Sequence, residues 1–420
     1  MSTLLTNRLS GLDKFAIVSP YLFRILEEVF FYNTIFFGKG LAFFGFGFFL
    51  IYTLVRNSNY LIKSFSDQVT VFLLLFVAFC ALMESYHVDS NYVGVFRTSF
   101  MLGAAPLYAS WMLRDKNAIH YILLGFLLYA GTIALNIALN FSLTTMLSFE
   151  NADQARIEGL DRLFFGVDLN GAGNLSELGM IICYLYGVQY RQRFRFAIAF
   201  DILMGIFLYA LVCCVSRSAY LNTFFVIAIF LFRYGIQLKT KHLIVILLFP
   251  ILITTTYYQK IDNLLFSRFR TIEIGNEESS DSRVRLYSVL LSYVDEVFWT
   301  GVGEGNYNGE WGYNSDLAVE RYNPETGSFV TTLKATHNSF AQLLFYWGIG
   351  AVLLYVVINI KLITMLPGAS YTDLFSRIVT ALMISTLVSI MFTNVYNGKE
   401  FTLAYGMVMG LYLRRKYKNE

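Results

Sequence analysis

Long apolar runs separated by short polar turns make up most of the chain's 420 residues. A helix that crosses a membrane needs about 20 apolar residues. Runs near that length occur at 38–55, 68–85, 92–113, 119–146, 174–190, 196–214, 219–237, 243–257, 338–364, 374–396 and 400–414. Because only helices and closed barrels can cross lipid, runs this long predict an all-α polytopic membrane protein with about 11 to 12 transmembrane helices.

One earlier apolar segment, 16–37, is interrupted by Arg24, Glu27 and Glu28. Residues three and four positions apart share one face of a helix, so these side chains are expected to pair with each other. The segment is either a twelfth span with this face turned inward or a helix in the membrane plane, and the pattern leaves both open.

The composition agrees with a membrane protein: 56% of residues are hydrophobic and only 15% are charged, against about 25% in soluble domains. The net charge is +3, and no basic run is interleaved with aromatic residues away from the helix ends, which argues against a nucleic-acid partner. The four cysteines lie inside apolar runs without metal-ligand spacing. We therefore predict no metal site and no cofactor.

Lysine and arginine in short loops set the orientation of a membrane protein, because they remain on the cytoplasmic side. Basic loops occur on alternate turns, at Arg56 and Lys63; Arg114 and Lys116; Arg191, Arg193 and Arg195; Arg233, Lys239 and Lys241; and Arg414 to Lys418. This pattern predicts a cytoplasmic C-terminus. It also predicts that the large loop 258–337 and the smaller loop 147–173 lie on the outer side of the membrane. Both loops belong to a single transmembrane domain, which we expect residues 1–420 to form.

The large loop is the strongest candidate for chemistry. Loops longer than about 15 residues are usually functional or disordered. This one has an amphipathic helix pattern starting near Asp281, a glycine-rich turn and several aromatic residues, so we expect it to be partly helical and folded.

Three arginines are candidate anion ligands. Arg217 lies at the outer end of an apolar run, where the orientation rule disfavours a cation, and a guanidinium fork matches the oxygens of a phosphate or diphosphate. Arg283 and Arg285 fall in the first turn of the amphipathic helix. The helix dipole favours anions at this position, so two cations there are unexpected. A bound phosphate would explain both arginines. In the alternative interpretation, the N-terminal end of the helix is solvated and nearby carboxylates balance the two arginines.

Polar residues also mark the start of the ninth long run. The imidazole of His337 is a suitable proton acceptor near neutral pH. In the alternative interpretation, Thr336 or Asn338 caps the helix and His337 is incidental. Arg97, inside the third span, should face the protein interior next to a carboxylate or a bound anion.

Two further patterns have simple structural readings. Asn174 and Glu177 have the spacing of a helix-capping box. The run from Gly301 through Gly303 to Gly305 could pass for a nucleotide loop, but no strand precedes it, and a flexible turn is the favoured reading. No Asp-x-Asp or Asp-x-Glu motif occurs in an outer loop, so the reaction is expected to proceed without a metal.

Four motifs in this order resemble the bacterial O-antigen ligase and O-antigen polymerase superfamily. They are Ser216-Arg217-Ser218, the segment Arg283-Val284-Arg285-Leu286-Tyr287, the Gly301 to Asn306 run, and His337-Asn338 leading into Trp347-Gly348-Ile349-Gly350. The resemblance implies a metal-independent, inverting membrane glycosyltransferase of the GT-C type. Relatives have a Pro-Asn turn near Asn174, which Gly173 replaces here, so no catalytic role is transferred to Asn174.

By this resemblance, the donor is a glycan on undecaprenyl diphosphate, presented at the periplasmic side of the bacterial inner membrane. Arg217 and Arg285, with Arg283, would hold the diphosphate, and His337 would deprotonate or orient the acceptor hydroxyl. Asn338, Arg97 and Gly303 complete the candidate contacts to the diphosphate or glycan.

The acceptor distinguishes the alternatives. A polymerase, which we favour, transfers the glycan to another lipid-linked repeat unit, and a chain-length regulator protein is an expected partner. A ligase transfers the glycan to lipid A-core. A lipid-linked oligosaccharide flippase is the remaining alternative. It would carry charges along a central cavity and would lack a large folded outer loop.

Overall fold

The computed structural model shows a bundle of helices with one small β-hairpin. The structure describes residues 9–30, 41–87, 92–140, 169–190, 192, 194–214, 217–234, 288–323, 328–333, 338–368, 373–392 and 399–418. The first nine helices are α1 (Gly11–Phe30), α2 (Leu41–Arg56), α3 (Ser58–Phe65), α4 (Gln68–Ser85), α5 (Tyr92–Arg114), α6 (Ala118–Asn140), α7 (Leu169–Gln189), α8 (Phe194–Cys214) and α9 (Arg217–Tyr234).

The remaining elements are α10 (Val294–Val297), α11 (Glu304–Tyr307), α12 (Glu310–Asn314), β1 (Ala318–Asn323), β2 (Ser328–Leu333), α13 (Ser339–Thr364), α14 (Leu374–Phe392) and α15 (Lys399–Lys418). Among the described residues, four helices are long and apolar enough to cross a membrane: α4, α6, α13 and α14. The predicted all-α polytopic membrane fold is confirmed.

Successive long helices run in opposite directions, so the bundle has two ends. The basic face is the end at which α2 stops at Arg56 and α5 stops at Arg114. The loop face is the opposite end, where α4 stops at Ser85 and α9 begins at Arg217. The predicted run 243–257 and the predicted amphipathic helix start at Asp281 lie outside the described residues.

Helix α1 covers most of the uncertain segment 16–37 and packs against α2 and α6. The predicted pairing on its polar face is confirmed for Arg24, whose Nη1 lies 3.3 Å from Oε1 of Glu27. Near the basic face, the buried carboxylate of Asp13 accepts a hydrogen bond from the Tyr52 hydroxyl at 2.9 Å and faces Arg114 at 3.5 Å. These contacts join α1 to α2 and α5.

Small residues allow α15 to approach α5 closely. A Cβ at Gly406 would lie 2.9 Å from the Ala105 carbonyl oxygen, and a Cβ at Gly410 would lie 2.9 Å from the Met112 Cβ. Glycines four residues apart face the same side of a helix, and in membranes such positions let two backbones come into contact. This pair of helices therefore depends on the absence of side chains at the two glycines.

Helix α13 is bent sharply at Gly348, which has φ 75° and ψ −175°. The rings of Phe340 and Tyr355 lie 6.0 Å apart, whereas a straight helix would separate these positions by about 22 Å at 1.5 Å per residue. The predicted span 338–364 is thus two helical segments, 339–347 and 349–364. The second segment has 16 residues and is about 24 Å long.

A β-hairpin within the large loop was not predicted. Strand β1 pairs with β2 in antiparallel register, with Ala318 opposite Leu333 and Asn323 opposite Ser328. The β-branched and aromatic residues of Ser328–Leu333 favour a strand, and Pro324 and Gly327 between the strands favour a turn. The predicted partly helical character of this loop is confirmed by α10, α11 and α12.

Substituting Gly406 tests the α5–α15 contact. We expect Gly406→Val to lower the free energy of unfolding by about 1–3 kcal/mol, because overpacking forces the two backbones apart. Gly103→Val is the matched control, since a Cβ at Gly103, on α5, meets no atom within 4 Å. Thermal unfolding in detergent measures both. Equal losses of stability in the two variants would contradict this account.

Candidate functional site

The candidate residues predicted from the sequence fall into two places at the loop face. Arg217 is the first residue of α9, and Asn338 caps α13 by accepting hydrogen bonds from the backbone N–H groups of Phe340 and Ala341 at 2.8 and 3.0 Å. Gly303 lies beside the end of α4, and Arg97 is a residue of α5. The other three candidates, Arg283, Arg285 and His337, lie outside the described residues.

The starts of α9 and α13 meet at one end of α14. The Asn338 amide donates a hydrogen bond to the Met391 carbonyl oxygen at 3.1 Å. Asn222 donates to the Ser389 hydroxyl at 2.7 Å. Arg217 precedes Asn222 by five residues, about 7.5 Å along the helix axis. Arg217, Asn338 and the end of α14 therefore share one neighbourhood, which we call the α9–α13 corner.

A layer of buried polar side chains lies beneath this corner, between α7, α9 and α14. The Glu177 side chain is fully buried in α7 and accepts a hydrogen bond from the Ser385 hydroxyl of α14 at 3.0 Å. Asn222 and Ser389 join α9 to α14 one turn nearer the loop face. Polar groups within a membrane helix are expensive unless they pair or line a site, so this layer makes the corner a candidate site.

The expected capping role of Asn174 and Glu177 is wrong. Helix α7 begins at Leu169, so the two side chains lie in its second and third turns, and both are buried. The start of α7 also shows that the last five residues of the predicted loop 147–173 are helical. Within the part of the chain that the structure describes, Oε1 of Glu177, Oδ1 of Asn174 and Oδ1 of Asn222 have no hydrogen-bond partner.

The second place is built on the bend in α13. A straight helix would pair the carbonyl oxygens of Phe345 and Tyr346 with the N–H groups four residues later. Here they accept from Val302 and Gly303 at 2.8 and 2.9 Å, and the Ile349 N–H donates to the Phe298 carbonyl oxygen at 2.7 Å. Segment 298–303 thus replaces the hydrogen bonds that the bend removes.

Glycines make this docking possible. Gly301 and Gly303 have φ values of 67° and 82°, in the region that disfavours other residues. A Cβ at Gly301 would overlap the Tyr346 carbonyl group, and a Cβ at Gly348 would overlap the Trp299 carbonyl group. The glycine run is therefore not the flexible turn that the sequence favoured. Gly303 therefore has a structural role, and its contact with substrate stays a prediction.

The Glu84 carboxylate, at the end of α4, fastens the glycine run. It is buried and accepts hydrogen bonds from the backbone N–H groups of Glu304 and Gly305 at 2.8 and 3.1 Å. It also accepts from Nε1 of Trp347 at 2.9 Å. A single carboxylate therefore joins α4, the start of α11 and the bend of α13. Charge-assisted hydrogen bonds of this kind are about twice as strong as neutral ones.

Aromatic side chains cover the docked segment. The ring of Tyr307 lies 5.1 Å from that of Tyr346 and 6.1 Å from that of Trp311, which in turn contacts Tyr293 at 5.3 Å. Burial raises the pKa of the Tyr307 phenol, so this hydroxyl stays protonated at neutral pH. Residues 293–314 thus form a folded unit on the bundle, which we call the aromatic cap.

The position of Arg97 on α5 is close in sequence to this second place. It follows Gly94 by three residues on α5, and a Cβ at Gly94 would coincide with the Glu304 carboxylate. Arg97 therefore follows, by one helical turn, the residue of α5 that contacts the start of α11. The first segment of α13 links the two places, with Asn338 at its start and Trp347 at its end.

Sequence reasoning did not identify Glu84 or the bend at Gly348 as important. The available signals were a carboxylate that ends a long apolar run and the Trp347-Gly348-Ile349-Gly350 motif inside another. Among the described residues, no group of three His, Cys, Asp or Glu side chains is placed to hold a metal ion. Metal independence stays a prediction.

Part of the chain is similar to a known protein family. Residues 202–356 match the family model described as O-antigen ligase. This part of the chain is similar to that family, which supports the resemblance to the O-antigen ligase and polymerase superfamily. No curated protein matches the chain in the sequence search.

The superfamily comprises glycosyltransferase-like enzymes that act on lipid-linked glycans, which agrees with a multi-pass membrane protein. The matched segment contains six of the seven candidate residues: Arg217, Arg283, Arg285, Gly303, His337 and Asn338. Arg97 and Glu84 precede it. The segment runs from α8 through the bend of α13, so it includes both the α9–α13 corner and the docked glycine run.

Removing the Glu84 carboxylate should loosen the aromatic cap. Glu84→Ala leaves three buried N–H donors without their acceptor, and an unsatisfied buried group costs about 1–3 kcal/mol. We expect faster proteolysis within 293–314 and a lower thermal midpoint. Glu296→Ala is the matched control, because Glu296 also accepts from a tryptophan, Trp311, at 2.7 Å, but at an exposed site. Equal proteolysis of the two variants would refute the role given to Glu84.

A double-mutant cycle measures the bond between Glu177 and Ser385. Hydrogen bonds between membrane helices have coupling energies of about 0.6 kcal/mol on average and up to about 1.7. We expect a coupling in this range for Glu177→Ala with Ser385→Ala in unfolding experiments. Glu177→Ala with Ser99→Ala should be additive, since the Ser99 hydroxyl bonds the Val95 carbonyl in its own helix. Additive effects in the first pair would contradict the contact.

Proposed function

We propose that this protein transfers a glycan from undecaprenyl diphosphate to a sugar hydroxyl at the loop face, and that it acts as an O-antigen polymerase. The observation that carries the proposal is the α9–α13 corner. There Arg217 begins one helix and the residue after His337 caps another, both beside the end of α14. Similarity of residues 202–356 to the O-antigen ligase family supports a lipid-linked glycan as the substrate.

Arg217 would bind the diphosphate of the donor. The first N–H groups of a helix have no partner in that helix, and its N-terminus carries partial positive charge. A guanidinium at the start of the 18-residue helix α9 adds to this field. Arg285 and Arg283 would complete the site from the large loop. The lipid tail remains in the bilayer while its charged group meets these cations at the surface.

His337 would act on the acceptor. As the acceptor oxygen attacks the anomeric carbon from the face opposite the diphosphate, the bond from that carbon to the diphosphate oxygen breaks and the configuration inverts. The acceptor proton passes to the imidazole, and undecaprenyl diphosphate leaves. Guanidinium groups stabilise the charge that develops on the leaving group, so the reaction needs no metal. Asn338 fixes the helix start that follows the imidazole.

The second candidate is O-antigen ligase, which is favoured by the description of the matching family model. The same residues would serve, because the donor chemistry is identical and only the acceptor differs, being lipid A-core. In either case we propose that the protein lies in the bacterial inner membrane, with the loop face in the periplasm and the C-terminus in the cytoplasm. Loops 258–337 and 147–173 would then both be periplasmic, and a chain-length regulator would be a partner of the polymerase.

Substitution of the candidate residues tests this mechanism. Arg217→Ala, Arg285→Ala and His337→Ala should each lower glycan product by about 100-fold or more, as expected when a charge-stabilising or proton-transferring group is removed. Arg217→Lys should retain part of the activity, since it keeps the charge and loses the fork. Product is measured on lipopolysaccharide gels after complementation of a deletion strain, with the membrane level of each variant determined in parallel.

Arg56→Ala is the matched control, because Arg56 lies at the basic face with 59% of its side chain exposed. It should leave product unchanged. Full activity in the His337 variant would remove this residue from the mechanism. The deletion strain itself separates the two acceptors: a single repeat unit on core identifies a lost polymerase, whereas bare core with accumulated lipid-linked polymer identifies a lost ligase.

A further inference from the structure

A groove of about 550 Å³ opens at the basic face, on the opposite side of the bundle from the α9–α13 corner. It lies between the start of α1, the start of α6 and the end of α7, with α8 beside it. Its polar lining is Lys14, Asp115, Asn117, His120, Tyr186 and Tyr190. Leucines of α6 and Phe200 form the remaining wall.

The lining changes from polar to apolar along the helix axis. Asn117 immediately precedes α6 and His120 lies in its first turn, whereas Leu124 and Leu127 follow one and two turns further into the bundle. From Asn117 to Leu127 the groove extends about 15 Å at 1.5 Å per residue. A ligand that fits this lining has a polar group at the membrane surface and an apolar chain that enters the hydrocarbon.

The charges at the polar end favour an anion. The Lys14 ammonium lies over the Tyr121 ring at 5.3 Å and forms no ion pair with a carboxylate within the described residues. Asp115, the other charged lining residue, accepts a hydrogen bond from the Asn117 N–H at 2.9 Å. A second cation, Arg414, acts electrostatically on Asp115. Lys14 is the cation that the groove lining presents to a ligand.

Neutral hydrogen-bonding groups surround that charge. A ring nitrogen of His120 lies 2.9 Å from the Tyr186 hydroxyl, and the His120 ring also contacts Phe375 edge-on at 4.8 Å. Tyr186 stacks on Tyr190 at 5.9 Å and on Phe200 at 5.2 Å. Packing thus holds these rings in place, and a phosphodiester at Lys14 would have amide, imidazole and phenol groups within the same wall.

We propose that this groove is a binding site for an anionic phospholipid of the leaflet at the basic face. Its phosphodiester would pair with Lys14, and one acyl chain would lie against Leu124, Leu127 and Phe200. Basic pockets between transmembrane helices on the cytoplasmic side are a known way for membrane proteins to bind lipid headgroups. The site is separate from the proposed glycan chemistry and does not depend on it.

Native mass spectrometry of the full chain in detergent tests the proposal. The probes are phosphatidylglycerol, phosphatidylethanolamine and inorganic phosphate, each titrated against delipidated protein. We expect one tightly bound phosphatidylglycerol, weaker binding of the zwitterionic lipid, and no competition from millimolar inorganic phosphate. Lys14→Ala should weaken phosphatidylglycerol binding by about tenfold, as expected for loss of one charge-assisted contact.

Two further variants separate binding from folding. Leu124→Trp places an indole in the apolar half of the groove at a position that is 46% exposed, so it should block the chain without disturbing the core. Lys361→Ala is the matched control, because Lys361 is an exposed lysine that contacts Gln68 outside the groove. Affinities of the Lys14 and Leu124 variants equal to that of the Lys361 variant would overturn the proposal, as would displacement of the lipid by inorganic phosphate.

Discussion

The bend in α13 at Gly348 is the constraint on which the loop face depends. A helix that breaks inside a membrane protein exposes backbone groups that lipid cannot satisfy. Segment 298–303 satisfies them with three backbone hydrogen bonds, and the Glu84 carboxylate holds the next two residues of the same run. The bend and the docked segment therefore require each other, since neither has its hydrogen bonds without the other.

The same bend determines where the candidate chemistry lies. Because α13 turns back at Gly348, its first segment brings Asn338 to the end of α14, next to the start of α9. The buried polar layer of Glu177, Asn222, Ser385 and Ser389 then holds α7, α9 and α14 together directly below. Rigid support beneath a site preserves the geometry that transition-state stabilisation needs.

The sequence predicted the features that depend on composition and periodicity. Apolar runs of the right length gave the membrane fold, and the interrupted polar face of α1 gave the Arg24–Glu27 pair. It could not predict contacts made by tertiary packing. The capping-box spacing of Asn174 and Glu177 is a local pattern, but α7 starts upstream at Leu169 and buries both residues. Likewise, no local sequence pattern predicts that Glu84 forms hydrogen bonds with residues more than 200 positions later. For the candidate site, the order of motifs grouped Arg217 with Asn338, which contacts the end of α14. The roles of the arginines and of His337 stay predictions.

The mutual dependence of the bend and the glycine run has a consequence for exchanging parts between related proteins. A chimaera could take segment 298–303 from one parent and α13 from another. The two sides of the hydrogen-bonded contact between them would then come from different proteins. The exchanged part should therefore begin before the aromatic cap and end after Ile349. The bend at Gly348 and segment 298–303 then come from the same parent. The acceptor on α4, the position of Glu84, would have to be kept by whichever parent supplies the bundle.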